Sequence, residues 1–334
     1  MITIYEVAKE ARVSPKTAAR ILAGEEARPH NKQRVLNAAA KLGYVRNQQA
    51  ANLRSGKSGL LGLVVPDIRN PYYPIFFQAV HDVAQGFGYQ ILLSSTFGRK
   101  TEEAHALRMF EMNRVEGILL NAAEGDSDED CDSILKRFID RGVPVILAGR
   151  PRRSLPADQI VLQNKSGLEK GVNYLFKTGR RRIAFITGGR NATASRERLE
   201  GYLSALQMQQ PDLGTSLVSH GEFTAESGYE QTTALLQLAQ PPDAIMAAND
   251  LLAVGALKAC QSMNRRVPQD VAIIGFDDIP LAQLCSPALT TLRQPTEKIA
   301  RDCVTLLVER IRAHDLSAPR NLTYEPELLI RDSA

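Results

Sequence analysis

The side chains that most often perform catalysis are scattered along this chain. Its five histidines (His30, His81, His105, His220, His314) form no cluster, and its four cysteines (Cys131, Cys260, Cys285, Cys303) lie far apart without a C-x-x-C pair. A metal centre or a disulfide frame is therefore not expected, and the cysteines read as reduced core residues of a cytosolic protein. A G-x-S-x-G nucleophile elbow, an H-E-x-x-H helix and a G-x-G-x-x-G turn are all absent. Gly56-Lys57-Ser58 imitates the end of a phosphate-binding loop. That loop also requires glycine at position 51, where this chain has Ala51, and a preceding strand where a helix is expected. Neither an enzyme nor a bound cofactor is expected.

Two other groups of residues can do chemistry by binding. The first is cationic and lies near the amino terminus. Thr3-Ile4-Tyr5-Glu6 fits a capping box that opens a helix, with Val7, Ala8 and Ala11 on one face. Ser14-Pro15 reads as a cap followed by proline at the first position of a second helix. That helix turns Ala18, Ile21 and Leu22 inward and leaves Lys16, Thr17 and Arg20 pointing out. A third helix is expected from about Asn31 to Leu42, with Val35, Ala38, Ala39 and Leu42 inward and Gly43 as terminator. Two short helices around a tight turn, followed by a third, describe a helix-turn-helix unit for DNA.

The second group lies at the ends of expected strands. From Leu60 onward, short apolar runs alternate with helical stretches. Strands are expected at 60–65, 90–95, 117–120, 143–147, 182–187, 216–220, 244–247 and 271–276, with helices between them. This alternation predicts right-handed βαβ crossovers and doubly wound parallel sheets covered on both faces. Eight such strands could close a barrel, but the polar stretch Leu155–Asp158, with Pro156, reads as a break between two open sheets. Open α/β sheets bind ligands beyond the carboxyl ends of their strands. Those ends carry Asp67 to Tyr73, Ser95-Thr96-Phe97, Ala148-Gly149-Arg150, Gly188 to Arg198, Glu222-Phe223, Asn249-Asp250 and Asp277-Asp278.

The chain resembles the LacI/GalR (lactose-repressor) family over nearly its whole length. Thr3-Ile4-Tyr5-Glu6-Val7-Ala8, Val13-Ser14, Thr17, Arg20 and Leu42-Gly43-Tyr44 carry the likeness in the head. In the body it rests on Val64-Val65-Pro66-Asp67, Asn70-Pro71-Tyr72-Tyr73, Ser195 to Tyr202, Ala248-Asn249-Asp250, Gly275-Phe276-Asp277-Asp278 and Pro287 to Leu292. The resemblance implies an operator-binding head, a hinge helix and a two-lobed core like the periplasmic binding proteins. It places Pro15 and Lys16 at the base-reading start of the second helix, with Arg20 one turn later. Lys16 and Arg20 either pair with guanine in the major groove or neutralise phosphates. Thr3, Ser14, Thr17, Arg28 and Asn31 complete the head's DNA contacts. Asn47 to Arg54 resembles the hinge, with Asn47, Ala50, Leu53 and Arg54 toward DNA and Leu53 as the minor-groove wedge.

In the core, the resemblance implies that Arg198, Asn249 and Asp277 bind a small polyhydroxylated effector, with Tyr72, Tyr73, Phe97 and Phe223 stacking on it. Asp67 and Asp278 are expected to cap loops or helices, and Arg196 to form a surface or inter-lobe salt bridge. The chain departs from the family at four places, one of them the recognition helix, which reads Thr17-Ala18-Ala19-Arg20 in place of the usual Thr-Val-Ser-Arg. Arg12 stands where the turn usually has glycine. Ala27-Arg28-Pro29-His30-Asn31 replaces a Val-Ser loop with a threonine. At about position 149, where many relatives hold an acidic or amide residue, this chain has Gly149-Arg150. If Arg150 faces the cleft, it favours a sugar acid or sugar phosphate; otherwise it points to solvent.

Charge agrees with a two-part design. Residues 1–58 hold 11 Lys and Arg against 4 Asp and Glu, a net of +7 within an overall +4, so the body is mildly acidic. At 334 residues and 44% hydrophobic, the chain is too long for one core and too apolar to be disordered. No apolar run is long enough for a membrane span, and the start does not read as a signal peptide. The expected division is a head at 1–46, a hinge and linker at 47–58, and a core at 59–334. Within the core, lobe 1 should take about 59–157 and 290–318, and lobe 2 about 158–289 and 319–331. A cytoplasmic homodimer without a heptad tail for tetramers is expected, with double-stranded operator DNA and a small molecule as partners. A solute-binding protein shares this core but needs no basic head. An α/β enzyme is the remaining alternative. Whether the effector releases DNA or promotes its binding is open at this level.

Overall fold

The computed structural model describes residues 2–22, 26–44, 57–121, 129–148, 155–190, 192–209, 215–314 and 318–334. They fall into two compact units, Met1–Ser58 and Gly59–Ala334. The first unit has three helices, α1 (Ile4–Glu10), α2 (Pro15–Leu22) and α3 (Pro29–Leu42). Their core is built of small residues, Val7, Ala8, Ala11, Ala18, Ile21, Val35, Ala38 and Ala39, with Leu22 and Leu42 half-buried beside it. The Thr3 backbone N–H donates to Glu6 Oε2 at 2.7 Å, and the Thr3 hydroxyl donates to the same oxygen at 2.9 Å. The expected capping box therefore forms. Ser14 Oγ accepts from the Thr17 N–H at 3.1 Å and caps α2, whose first residue is Pro15.

Arg12 takes a φ of +49°. The turn thus keeps the left-handed backbone that glycine supplies elsewhere, at a cost of roughly 1–2 kcal/mol. Its carbonyl accepts from Arg34 at 3.4 Å, and the Val13 N–H closes the turn on the Ala8 carbonyl at 3.0 Å. Helix α3 starts at Pro29, two residues before the expected Asn31, because proline suits the first helical position. Gly43, at φ 62°, ends it.

The second unit contains β1 (Leu60–Val65), β2 (Gln90–Ser95), β3 (Gly117–Asn121), β4 (Val145–Ala148), β5 (Asp158–Leu162), β6 (Ile183–Thr187), β7 (Val218–His220), β8 (Ala244–Ala247), β9 (Ala272–Asp277), β10 (Thr290–Arg293), β11 (Asn321–Tyr324) and β12 (Glu327–Leu329). The helices between them are α4 (Tyr72–Gly86), α5 (Lys100–Asn113), α6 (Glu129–Asp140), α7 (Asn164–Lys177), α8 (Thr193–Gln209), α9 (Ala225–Leu236), α10 (Asp250–Ser262), α11 (Pro280–Leu284) and α12 (Thr296–Ala313). Two open sheets result, ordered β11-β5-β4-β3-β1-β2 and β12-β10-β9-β8-β6-β7. All pairs are parallel except β10 with β12. Register is set by the apolar runs; Leu61, for example, lies opposite Ile91 and Gly117. One face of the first sheet packs on α4 and α12, through Phe76, Val80, Cys303, Val304 and Leu307. The other face packs on α5 and α6, through Leu107, Phe110, Ile134 and Leu135. The second sheet is covered on both faces by α7, α8, α9 and α10 within a single core.

Sheet membership corrects the expected lobe boundaries. β5 and β11 belong to the first sheet, not to lobe 2, and β10 belongs to the second sheet, not to lobe 1. The chain therefore crosses between lobes at Gln163, at Gln294-Pro295 and at Glu325-Pro326. The misreading has a physical cause. Asp158 and nearby Pro156 look like loop residues, yet Asp158 is 4% exposed at the start of β5. It accepts from Arg310 Nε at 3.0 Å, from another Arg310 nitrogen at 2.7 Å and from the Arg320 N–H at 2.8 Å. This buried bidentate pair ties β5, α12 and the entry to β11 into one lobe.

The cysteines are free, with Cys131, Cys260 and Cys303 buried; Cys285 is only half-buried, at the end of α11, and is not a core residue. No helix among the described residues is long and apolar enough to cross a membrane. Replacing Asp158 with alanine leaves the Arg310 charge buried without its carboxylate. Asp158→Ala should cost about 3–5 kcal/mol in urea-induced unfolding of the core.

Candidate functional site

In the head, the exposed side of α2 presents Pro15, Lys16 and Arg20, with Thr17 half-buried. Arg28 is exposed at the start of α3, and Asn31 is half-buried within it. Three of the expected DNA contacts already serve the fold. Thr3 is bonded to Glu6, and the Ser14 and Thr17 hydroxyls lie 2.8 Å apart in the α2 cap. Asn47, Ala50, Leu53 and Arg54 lie outside the described residues, as does Arg150.

In the core, the strand-end residues of the second lobe converge. Arg198, on α8, is 5% exposed. Its Nε donates to Asn164 Oδ1 at 2.9 Å, and a second nitrogen donates to the Ala248 carbonyl. The guanidinium lies 3.6 Å from the centre of the Phe276 ring. Its remaining nitrogen stands 3.9 Å from Asp277 Oδ1, too far for a hydrogen bond. Asp277 ends β9 at a φ of 117° and is held by Gln294, whose Nε2 donates to Oδ1 at 2.6 Å. Burial pushes the Asp277 carboxyl up to about 6, although Arg198 and Gln294 both favour its charged form. Burial also lowers the pKa of the Arg198 guanidinium, against the pull of Asp277. Desolvation outweighs attraction because the pair stops short of contact.

Asn249 caps α10, its Oδ1 accepting from the Leu252 N–H at 2.9 Å. Its Nδ2 is buried without a partner among the described residues. Asp250 beside it is structural. It accepts from the Thr291 hydroxyl at 2.5 Å and the Ile279 N–H at 2.8 Å. A Cβ at Gly275 would lie 2.2 Å from Asp250 Oδ1, so glycine is required there. Burial, with Asp277 nearby, raises the Asp250 pKa well above the usual range. Asp278 pairs with Arg331 at 2.6 Å and Asp67 with Arg69 at 2.8 Å, so both stabilise loops, and Arg196 is exposed. Phe223 lies against Gly188, where a Cβ would come within 2.4 Å of its ring.

The first lobe contributes Tyr72 and Tyr73 from the start of α4. Tyr72 stacks on Phe76 at 6.3 Å and meets Tyr73 edge-on at 5.2 Å. Burial and then the Asp277 charge raise the Tyr72 phenol pKa, while Arg198 opposes them. The two lobes therefore face each other across this pair. Phe97 is different: it is 48% exposed at a φ of 52°, with the Arg69 and Arg99 guanidiniums 5.4 and 5.6 Å from its ring. Its ring lies between these two exposed guanidiniums.

Sequence reasoning missed Asn164 and Gln294. Gln294 directly follows β10 and Asn164 follows β5 after one intervening residue, and neither segment reads as a strand in the sequence. The strand-end rule would have identified them had those two strands been recognised.

Comparison with known proteins agrees with this arrangement. Residues 3–47 match the model for bacterial regulatory proteins of the lacI family, and residues 172–334 match a periplasmic binding protein-like domain. The HTH-type transcriptional regulator CelR of Thermobifida fusca is 33% identical, over 99% of this chain and 98% of its own length. DegA of Bacillus subtilis, also an HTH-type transcriptional regulator, is 30% identical over 99% of this chain and 97% of its own. A solved CelR–cellobiose complex superposes with a TM-score of 0.74 at 30% identity, covering 100% of both chains. The chain belongs to the lacI family of bacterial regulatory proteins. It is a DNA-binding transcriptional regulator, from a family of regulators rather than enzymes.

The raised Asp277 pKa has a measurable consequence. The native carboxyl titrates near 6 against an ordinary 3.8, so between these values the folded state keeps a proton that the unfolded state has lost. This group therefore subtracts stability as pH rises from about 4 to 6 and nothing further above that, up to about 3 kcal/mol in all. Urea unfolding at pH 4.5 and 7 should show this loss in the wild type. The difference between the wild type and Asp277→Asn should shrink at the lower pH.

Proposed function

We propose that this regulator acts as a homodimer whose two heads read the halves of a pseudo-palindromic operator, under control of a sugar-like effector bound between the core lobes. The observation that supports this effector class best is the Arg198–Asp277 pair, facing each other at 3.9 Å without a hydrogen bond. Neighbouring hydroxyls of a polyhydroxylated ring can accept from the guanidinium and donate to the carboxylate. The unpartnered Asn249 Nδ2 adds a further donor, and Tyr72, Tyr73 and Phe223 offer apolar faces. The cellobiose in the related CelR complex supports a sugar as the class.

In the head, Lys16 and Arg20 read bases in the major groove, while Arg28 and Asn31 meet phosphates. Residues 47–54 form the hinge, with Leu53 as its wedge. The finer reading of the effector is an anionic sugar, with its carboxylate or phosphate toward Arg150. A thermal-shift screen of neutral sugars, sugar acids and sugar phosphates tests the class, because a ligand that binds the native state raises the unfolding temperature. No shift with any of the three groups overturns the proposal.

Arg20→Ala should abolish preference for the operator while weaker, salt-sensitive binding persists. Equal weakening on operator and random DNA would make Arg20 a phosphate contact only. Arg150→Ala should weaken an anionic effector about ten- to a hundred-fold and leave its neutral analogue unchanged, as measured by calorimetry. Equal losses for both ligands refute the anionic reading.

A further inference from the structure

Four cations gather where the chain enters β6: Lys177 at the end of α7, then Arg180, Arg181 and Arg182. This is the amino-terminal end of the second sheet, a strand's length from the Arg198–Asp277 cleft at its carboxyl ends. Backbone carbonyls hold all three guanidiniums. Arg180 donates to the carbonyls of Asp243, Pro268 and Gln269, and Arg182 Nε donates to that of Gln240 at 2.7 Å. Arg181 spends a single nitrogen, Nη1, on the Phe176 and Arg180 carbonyls, each at 2.9 Å. The Asp243 carboxylate faces the backbone instead, accepting from the Arg181 and Arg182 N–H groups at 2.8 and 2.9 Å. None of the four side chains forms an ion pair among the described residues. A carbonyl orients a guanidinium without neutralising it. The carboxyl ends of α7 and α8 contribute about half a negative charge each, against four full cations. The excess stays positive.

Two of these cations open onto a groove. Asn173, Phe176, Lys177, Arg181 and Gln209 line a depression of about 300 Å³, at the small end of ligand pockets. Asn173 and Lys177 stand one turn apart on α7, Gln209 ends α8, and Phe176, 8% exposed, supplies an apolar wall. Arg181 and Lys177 are exposed. With Nη1 occupied, Arg181 Nε and Nη2 have no partner among the described residues. They form the parallel edge of the guanidinium, which fits two oxygens of one anion.

We infer that this groove binds an anion carrying a phosphoryl group, with two oxygens on the outer edge of Arg181 and a third on Lys177. A carboxylate has only two oxygens, and the fork would take both and leave the ammonium unmatched. A phosphoryl dianion matches both cations in charge and in number of oxygens. Free phosphate and a phosphate ester share this chemistry, but only an ester has a body to lay against Phe176.

Calorimetric titration of the full chain at fixed ionic strength, with inorganic phosphate, phenyl phosphate and phenol, tests the site. Phenyl phosphate should bind more tightly than inorganic phosphate, and phenol should not bind. Equal affinities for the two phosphates would support the phosphoryl site and make free phosphate its occupant. Lys177→Gln and Arg181→Gln should each weaken phenyl phosphate by about three- to tenfold, because exposed charges are partly screened. Arg181→Lys keeps the charge without the fork and should recover only part of that loss. Arg182→Gln removes a cation that does not line the groove and should change binding little.

Equal weakening by Lys177→Gln, Arg181→Gln and Arg182→Gln would mean diffuse attraction and overturns the inference. So does the absence of heat with both phosphates, or binding that survives unchanged in both groove variants. Should Arg181→Gln not fold, Lys177→Gln, a change at an exposed side chain, decides against Arg182→Gln. The sugar screen stands apart, since Lys177 and Arg181 lie at the opposite end of the sheet from the cleft.

Discussion

An arginine buried to 5% exposure is the constraint around which the second lobe is arranged. A guanidinium cannot shed its proton at any physiological pH, so every donor it keeps from water must find an acceptor or a π face. Arg198 meets this demand with Asn164, the Ala248 carbonyl, the Phe276 ring and the nearby Asp277. These groups come from α7, the end of β8 and the end of β9. One charge thus fixes the relative positions of three chain segments far apart in sequence. The pair with Asp277 is incomplete, its approach of 3.9 Å leaving hydrogen-bonding capacity unused on both sides.

The same logic of buried charge holds the first lobe. Asp158 and Arg310 are both 4% exposed and bonded bidentately, with the Arg320 N–H as a third donor to the carboxylate. Here the geometry is complete, and no group is left for a ligand. The contrast separates a saturated ion pair from an unsaturated one in the same molecule. Both are buried and both join distant segments; only the 3.9 Å gap in the cleft leaves hydrogen-bonding capacity unused.

The head shows how departures from a familial pattern are absorbed. Arg12 adopts the left-handed turn conformation despite its side chain, because the Val13 N–H and the Arg34 guanidinium hold the surrounding backbone. Helix α3 starts on Pro29, within the altered loop, because the first helical position needs no N–H donor. The cost of each departure is local, and the small-residue core of the three helices is untouched.

Much of the fold was legible from residue order alone. The head's caps and faces, eight of the twelve strands among the described residues and the alternation that builds parallel sheets follow from hydrophobic period and local hydrogen bonding, which act over a few residues. Arg198, Asn249 and Asp277 were found because they follow apolar runs that resemble strands and stand in motifs of the family. Their meeting was not legible, since it depends on three strands from different parts of the chain. The strands that escaped, β5, β10, β11 and β12, each carry polar residues and run to five residues or fewer; β11 and β12 form sheet edges, and β5 and β10 lie beside them. Asp158 is the clearest case, a residue of loop type made a strand residue by an arginine 152 positions away. The same nonlocal pairing hid the crossings, and with them Gln294 and Asn164. The sequence determined the elements and the residues capable of binding. Tertiary structure decided which lobe each late strand joins and which charges remain incompletely paired, because both depend on desolvation that only packing creates.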